Sequence, residues 1–294
     1  MAHSLRFGLF MGQFNAEWPE VLERFQLAEE LGFDYAWLVD HFIDTNDRPD
    51  VSCMEAWTLL AALAASTSRI GLGVLVSSNT FRHPALLMKE AVTVDRISGG
   101  RLLLGLGAGW YEREHSMYGL PFGSNSERVE QLEETVQIAR SLMTQDLTTF
   151  AGRHYQLRDA EFNPKPAQQP HIPIVIGAHR PRMLRLTARY ADMWDTFATV
   201  PQSATEGVDT ELADRAAMLD QYCREAGRDP VEVRRSTWTG GEVLRSEEQY
   251  LSWVDNHLST GFTDFSCGLP GPQHEDSLRR IATEVIPALR AGSL

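Results

Sequence analysis

The 294-residue chain reads as an α/β protein of eight repeated βα units, a closed parallel (β/α)8 or TIM barrel with insertions. Two observations predict this. Short runs of β-branched and aliphatic residues alternate along the chain with longer stretches whose apolar positions recur every three or four residues. The length also suits one barrel of about 250 residues plus insertions, so residues 1–294 are expected to form a single domain.

The strands are expected at Leu5–Met11, Tyr35–Val39, Ile70–Val76, Leu102–Leu106, Ile174–Ile176, Met193–Phe197, Arg235–Trp238 and Phe262–Ser266, each followed by a helix. Glu17–Leu31 carries Val21, Leu22, Phe25 and Leu27-Ala28 on one side and stops at Gly32, a natural C-terminal glycine. The third helix begins at Pro84 and ends before Ser98-Gly99-Gly100, and another begins at Pro181. Two stretches exceed a minimal barrel and are lid candidates. One is Gln145–Pro173, with a small hairpin at Thr148–Tyr155 and prolines 164, 166, 170 and 173; the other is the polar loop Thr199–Thr210.

Composition narrows the function. Hydrophobic residues at 43% and charged residues at 23% are ordinary for a globular protein. The net charge of −13, with arginines scattered and only Lys89 and Lys165 as lysines, argues against a nucleic-acid partner. The start, Met1-Ala2-His3-Ser4-Leu5, lacks a basic segment followed by an apolar run, and no long apolar run follows, so neither secretion nor a membrane partner is expected. Cys53, Cys223 and Cys267 are odd in number and widely spaced, which suggests neither disulfides nor zinc and makes a cytoplasmic location the default.

Barrels of this kind do their chemistry at the C-terminal ends of their strands, so residues there carry weight. After strand two, Asp40-His41 sets a carboxylate beside a side chain that titrates near neutrality: a proton donor, or a structural pair. After strand three, the polar run Ser77-Ser78-Asn79-Thr80 could bind a heterocycle or cap the next helix. Gly105-Leu106-Gly107-Ala108-Gly109-Trp110 matches a phosphate loop only loosely; small residues there admit a planar ring or close packing, with Trp110 available to stack. Glu112, Glu114 and His115 could assemble acid–base chemistry or form a solvated helix start. After strand five, Gly177-Ala178-His179-Arg180-Pro181 leads into a helix whose free amides, with Arg180, suit a phosphate; Arg182, Arg185 and Arg189 fall on that helix's outer face. Strand one ends Phe10-Met11-Gly12-Gln13 without His-x-His, and neither His-Glu-x-x-His nor Gly-x-Ser-x-Gly occurs, so metal and serine hydrolysis lack support.

Taken in order, Asp40-His41, Asn79-Thr80-Phe81-Arg82-His83-Pro84, Ile97-Ser98-Gly99-Gly100-Arg101, Gly107-Ala108-Gly109-Trp110 and Ala188-Arg189-Tyr190-Ala191-Asp192-Met193-Trp194 closely resemble the luciferase-like monooxygenase family, and most of all its branch dependent on the deazaflavin F420. The match covers Leu5–Phe197 strongly. The resemblance implies an often homodimeric TIM barrel whose flavin-type ring is backed by a strand-three bulge near Leu75-Val76-Ser77, commonly with a non-proline cis peptide. It places His41 at the reactive ring edge, with Glu114 and His115 as its catalytic company. Asp40, Leu75, Val76, Ser77, Thr80, Gly107 and Trp110 would surround the ring, and Gly177, Ala178, His179 and Arg180 would hold phosphate. Ala178-His179 stands where relatives often have glycines, as does Met193. Trp110 replaces the catalytic glutamate of the sugar-phosphate dehydrogenases, which argues against glucose 6-phosphate as substrate. The implied reaction is hydride transfer between F420 and a small organic molecule, His41 moving the proton. The alternatives are an FMNH2-dependent monooxygenase using O2 and a separate reductase, and a non-catalytic flavin-binding barrel.

Overall fold

The structure is a computed structural model that describes residues 3–197 and 210–292. Eleven strands occur among them: β1 (Arg6–Phe10), β2 (Tyr35–Leu38), β3 (Gly71–Val74), β4 (Ser77–Ser78), β5 (Leu102–Gly107), β6 (Leu147–Ala151), β7 (Gln156–Glu161), β8 (Ile174–Gly177), β9 (Met193–Thr196), β10 (Arg234–Thr239) and β11 (Asp264–Gly268). The main sheet runs β3-β2-β1-β11-β10-β9-β8-β5-β4, and β3 also pairs with β5, so it closes on itself. Its described pairings are parallel. With β3 and β4 as one interrupted strand, this is the predicted eight-stranded barrel. Strands buried on both faces need no polar alternation, and all six residues of β5 are buried.

The helices are α1 (Trp18–Glu30), α2 (Ala56–Ser66), α3 (Pro84–Ser98), α4 (Glu112–Tyr118), α5 (Asn125–Thr144), α6 (Pro181–Tyr190), α7 (Thr210–Glu225), α8 (Glu247–Leu258), α9 (Glu275–Arg280) and α10 (Ile286–Ala291). Their ends follow the residues that mark them. Gly32 turns the chain after α1 at φ 79°, and α3 opens on Pro84 and closes on Gly99 at φ 69°. Ser124 and Glu127 form a reciprocal capping box at α5. Arg182, Arg185 and Arg189 lie exposed on α6 as expected. No described helix is long and apolar enough to cross a membrane.

By internal contacts the chain divides into two compact units. The first comprises Met1–Met11, Glu23–Trp37 and Gly177–Leu294. Phe7 of β1 stacks on Phe265 of β11 at 5.8 Å, and Tyr250 and Trp253 of α8 pack against these two rings, so aromatic burial joins strands to helix. On the opposite face of these strands Asp195, Ser236 and Asp264 are buried in register. Burial pushes the Asp195 carboxyl up to about 8, with Asp264 adding to that and Ser236 opposing it.

The second unit comprises Gly12–Leu22 and Leu38–Ile176. It contains the first predicted departure, a hairpin longer than the sequence implied: β6 and β7 pair antiparallel from Leu147 to Glu161. Gln156–Glu161 is polar and largely exposed, so it lacks the apolar alternation that marks a half-buried strand. Glu134 of α5 accepts hydrogen bonds from the amides of Arg153, His154 and Tyr155 at the turn. Asp95 of α3 accepts from the amides of Ala167 and Gln168 and the side chain of Gln168 at the exit. The second departure, Thr199–Thr210, lies outside the described residues except for Thr210, which opens α7.

Candidate active site

The predicted residues after strands two, three and four belong to the second unit, and their site is built on the interruption between β3 and β4. The Leu75–Val76 peptide is cis, at the position the resemblance implied. Two glycines of β5 make room for this bulge: a Cβ on Gly105 would overlap the carbonyl of Val74, and one on Gly107 would overlap the side chain of Val76. The glycine-rich run is therefore shaped by protein packing rather than by a phosphate. The Gly107 carbonyl accepts from Asn79 N at 3.0 Å, which sets the course of the chain after β4.

Asp40 braces the same segment. Its carboxylate accepts from Ser78 N at 2.8 Å and from both terminal nitrogens of Arg82 at 2.7 and 3.1 Å. Burial raises its pKa, while Arg82 and the Ser78 amide pull the other way. Arg82 also pairs with Glu55, the N-cap of α2, and lies 3.3 Å from Glu90. Both Asp40 oxygens are thus committed to holding the bulge. Among the described residues, Arg82 and Glu55 were not singled out from sequence, although Arg82 lies inside the Asn79–Pro84 motif.

His41 follows β2, and Glu114 comes from α4. The Glu114 carboxylate is 1% exposed and accepts from His41 Nδ1 at 2.8 Å and from Phe42 N at 3.0 Å. A carboxylate only accepts, so His41 carries its proton on Nδ1, and Nε2 is left for a reactant. The Trp110 and Tyr111 rings stand edge-on to the imidazole at 5.7 and 6.2 Å. Of the three titratable groups at the start of α4, Glu112 is exposed, whereas Glu114 and His115 are buried, so this helix start is not wholly solvated. A helix start so short gives no sequence signal of which residues face inward.

His115 does not meet His41. Its Nδ1 donates to Tyr111 O at 2.9 Å, since a carbonyl only accepts. Nε2 therefore accepts from the Thr80 hydroxyl at 2.6 Å, and Thr80 accepts in turn from Ser78 Oγ at 2.9 Å. Gly109 lies over these hydroxyls at φ 79°, where a Cβ would come within 2.8 Å of both Ser78 Oγ and Thr80 Oγ1. Arg128 of α5, buried and without sequence signal, donates to Gly109 O at 3.2 Å and to Gly123 O at 2.9 Å, and its guanidinium covers the Phe122 ring at 3.8 Å. It fixes the turn that presents Trp110, which is 64% exposed. Ser77 is fully buried, and its hydroxyl accepts from Trp57 Nε1 at 3.2 Å.

The strand-five candidates belong to the first unit. Ala178 offers no free amide: its N–H donates to Asp195 O at 3.0 Å, and its carbonyl accepts from Trp194 Nε1 at 2.9 Å. Burial lowers the His179 pKa to about 4, Arg215 and Arg180 adding to the effect, so the ring is neutral at pH 7. Of Gly177–Arg180, the exposed Arg180 at the start of α6 keeps a charge for an anion.

Comparison with known proteins agrees with this architecture. The chain is 33% identical to the F420-dependent glucose-6-phosphate dehydrogenase of Microbacterium testaceum (strain StLB037), with 99% of each chain covered. It is 31% identical to the pyrimidine monooxygenase RutA of Allorhizobium ampelinum, over 69% of this chain and 55% of that one. An F420-dependent secondary alcohol dehydrogenase, solved with an F420-acetone adduct, superposes with a TM-score of 0.84 at 21% identity, over 98% of this chain and 99% of that one. The family model for luciferase-like monooxygenases matches residues 5–288, and the chain belongs to that family.

Proposed function

We propose that the chain is an F420-dependent oxidoreductase that exchanges a hydride with a small, uncharged organic substrate. The observation that carries this reading is His41, clamped through Nδ1 by a buried carboxylate, with Nε2 not taken by that carboxylate and the Trp110 and Tyr111 rings edge-on to the imidazole. The residues fit a flavin-type ring. Val76 is locked against Gly107 as a rigid backing, and Ser78, having donated its proton to Thr80, keeps acceptor lone pairs for a ring N–H.

The bound deazaflavin would supply or take the hydride at C5. Around it, His41 Nε2 gives or takes the proton at the substrate oxygen, and Glu114 offsets the charge that forms on the imidazole. Asp40 and Arg82 keep the bulge in place without touching the reacting atoms, so Asp40 serves the coenzyme through Ser78. Leu75, Val76, Ser77, Thr80, Gly107 and Trp110 shape the ring site, and Arg180 with the neighbouring α6 amides serves the phosphate. Trp110, in place of the sugar-phosphate dehydrogenases' glutamate, favours a substrate other than glucose 6-phosphate. We place the enzyme in the cytoplasm as a homodimer.

The likeness to a pyrimidine monooxygenase supports a second reading, an FMNH2-dependent monooxygenase supplied by a separate reductase. Anaerobic titration with reduced F420 and reduced FMN in parallel, followed by tryptophan fluorescence, separates the two. Tight binding of F420 alone is expected. Binding of FMN alone moves the monooxygenase to first place, and binding of neither overturns the cofactor assignment.

A further inference from the structure

The C-terminal strand ends of the first unit carry a run of aromatic rings that the chemistry above does not use. Side chains two residues apart on a strand share a face. Phe10, Trp238 and Phe197 lie two residues beyond Gly8, Ser236 and Asp195, on the same face as the buried Ser236 and Asp195. In register, Phe10 is opposite Gly268 of β11, and Trp238 is opposite Ser266. The two rings meet across the intervening strand, stacked at 4.9 Å with an interplanar angle of 11°. Phe197 continues the run at 4.8 Å from Trp238, and His179 closes it at 4.4 Å from Phe197. All four side chains are partly exposed rather than sealed in the core.

The charged side chain beside this run is already paired. One terminal nitrogen of Arg215 donates to Phe197 O at 2.9 Å and to Thr196 Oγ1 at 3.2 Å, and the other terminal nitrogen pairs with Glu211. His179 is neutral and offers a hydrogen bond rather than a charge. No lysine belongs to this unit, since Lys89 and Lys165 both lie in the other. Arg180, the exposed cation next in sequence, is the one assigned above to the coenzyme's phosphate. An aromatic surface whose only polar groups, the His179 ring and the Trp238 indole N–H, are uncharged suits π-stacking and apolar contact and gives a phosphate or carboxylate little to hold.

We propose that Phe10, Trp238 and Phe197 form the substrate-binding wall, that its substrates carry a flat, uncharged conjugated ring, and that His179 hydrogen-bonds a polar atom on that ring. The proposal rests on the oxidoreductase reading for calling the ligand a substrate, but the wall is tested by binding alone. The probe is naphthalene-2-carbaldehyde, a flat uncharged carbonyl, with glucose 6-phosphate as the charged comparison. Isothermal titration calorimetry is run on the full chain with and without F420.

The expected result is saturable binding of the aldehyde, weakened at least tenfold by Trp238→Ala and about threefold or less by Trp238→Phe, with F420 affinity and thermal midpoint held in Trp238→Phe. Phe10→Leu keeps apolar bulk without an aromatic face and is expected to weaken the aldehyde at least threefold. Binding of glucose 6-phosphate in preference to the aldehyde, or equal aldehyde affinity in all variants, overturns the proposal. Loss of F420 binding in Trp238→Phe with aldehyde binding retained assigns the rings to the coenzyme and overturns it as well. Failure of the parent protein to bind F420 sinks the F420-dependent reading, while the calorimetric comparison among variants still decides the wall.

Discussion

Replacing Glu114 by glutamine keeps the side chain's shape and removes one acceptor. In the parent, one carboxylate oxygen takes the Phe42 amide and the other takes His41 Nδ1. Glutamine has one oxygen and one NH2 group. If the oxygen serves Phe42, the NH2 faces Nδ1 and forces the imidazole proton onto Nε2, the nitrogen that must accept from a reactant. If the oxygen serves His41, two donors face each other at Phe42, and a buried amide goes unpaired at a cost of about 1–3 kcal/mol. The charge that balances an imidazolium is lost in either case. General acid–base catalysis contributes roughly 10²–10⁴-fold, so kcat of Glu114→Gln should fall about 100- to 1000-fold, on the order of 3–4 kcal/mol of barrier. Single-turnover reduction of F420, the direction in which Nε2 takes the substrate's proton, followed by deazaflavin absorbance, gives the rate; 15N NMR of the His41 ring gives the tautomer directly. A rate within threefold of the parent, with Nδ1 still protonated, would refute the clamp.

Three further outcomes follow from the same geometry. His41→Asn should leave F420 affinity intact and lower turnover at least tenfold; unchanged turnover removes His41 from the mechanism. Gly109→Ala should cost about 2–3 kcal/mol in urea unfolding, because φ is 79° and the new methyl meets two hydroxyls; a cost under about 0.5 kcal/mol contradicts the close approach. Asp195 holds its proton to about pH 8 when folded but releases it near pH 4 when unfolded. Across that window the unfolded chain binds fewer protons, so Asp195 lowers stability by ~1.4 kcal/mol per pH unit as pH rises. The stability advantage of Asp195→Asn over the parent should therefore grow from pH 5 to 8 and then level off, and a gap independent of pH would show that Asp195 is not buried as a neutral acid.

Much of the barrel was legible because its signals are local. Strand runs, Pro84 and Pro181 at helix starts and Gly32 and Gly99 at helix ends each act within a few residues. The interruption of strand three was legible only through the family resemblance, since Leu75-Val76 reads as unbroken strand. The site was half legible. His41 stood out by position, but its partner Glu114 is 73 residues away, and spacing alone does not say which of Glu112 and Glu114 turns inward. Arg82, Glu55 and Arg128 were invisible because their roles are set by tertiary contacts. The amide expected to be free at Ala178 is consumed by the neighbouring strand, a pairing that strand order decides rather than local sequence.

The β6–β7 hairpin is attached to its unit mainly by carboxylates: Glu134 grips backbone amides at its turn, and Asp95 does the same where the chain leaves it. These two contacts hold backbone, whereas the side-chain contacts are confined to a few positions: Thr148 bonds Ser141, Arg153 and His154 pair with Glu130, and Tyr155 packs edge-on to His83. The remaining positions of β6 and β7 are mostly in water, so they are where paralogues can diversify between α5 and β8 without repacking their common interior.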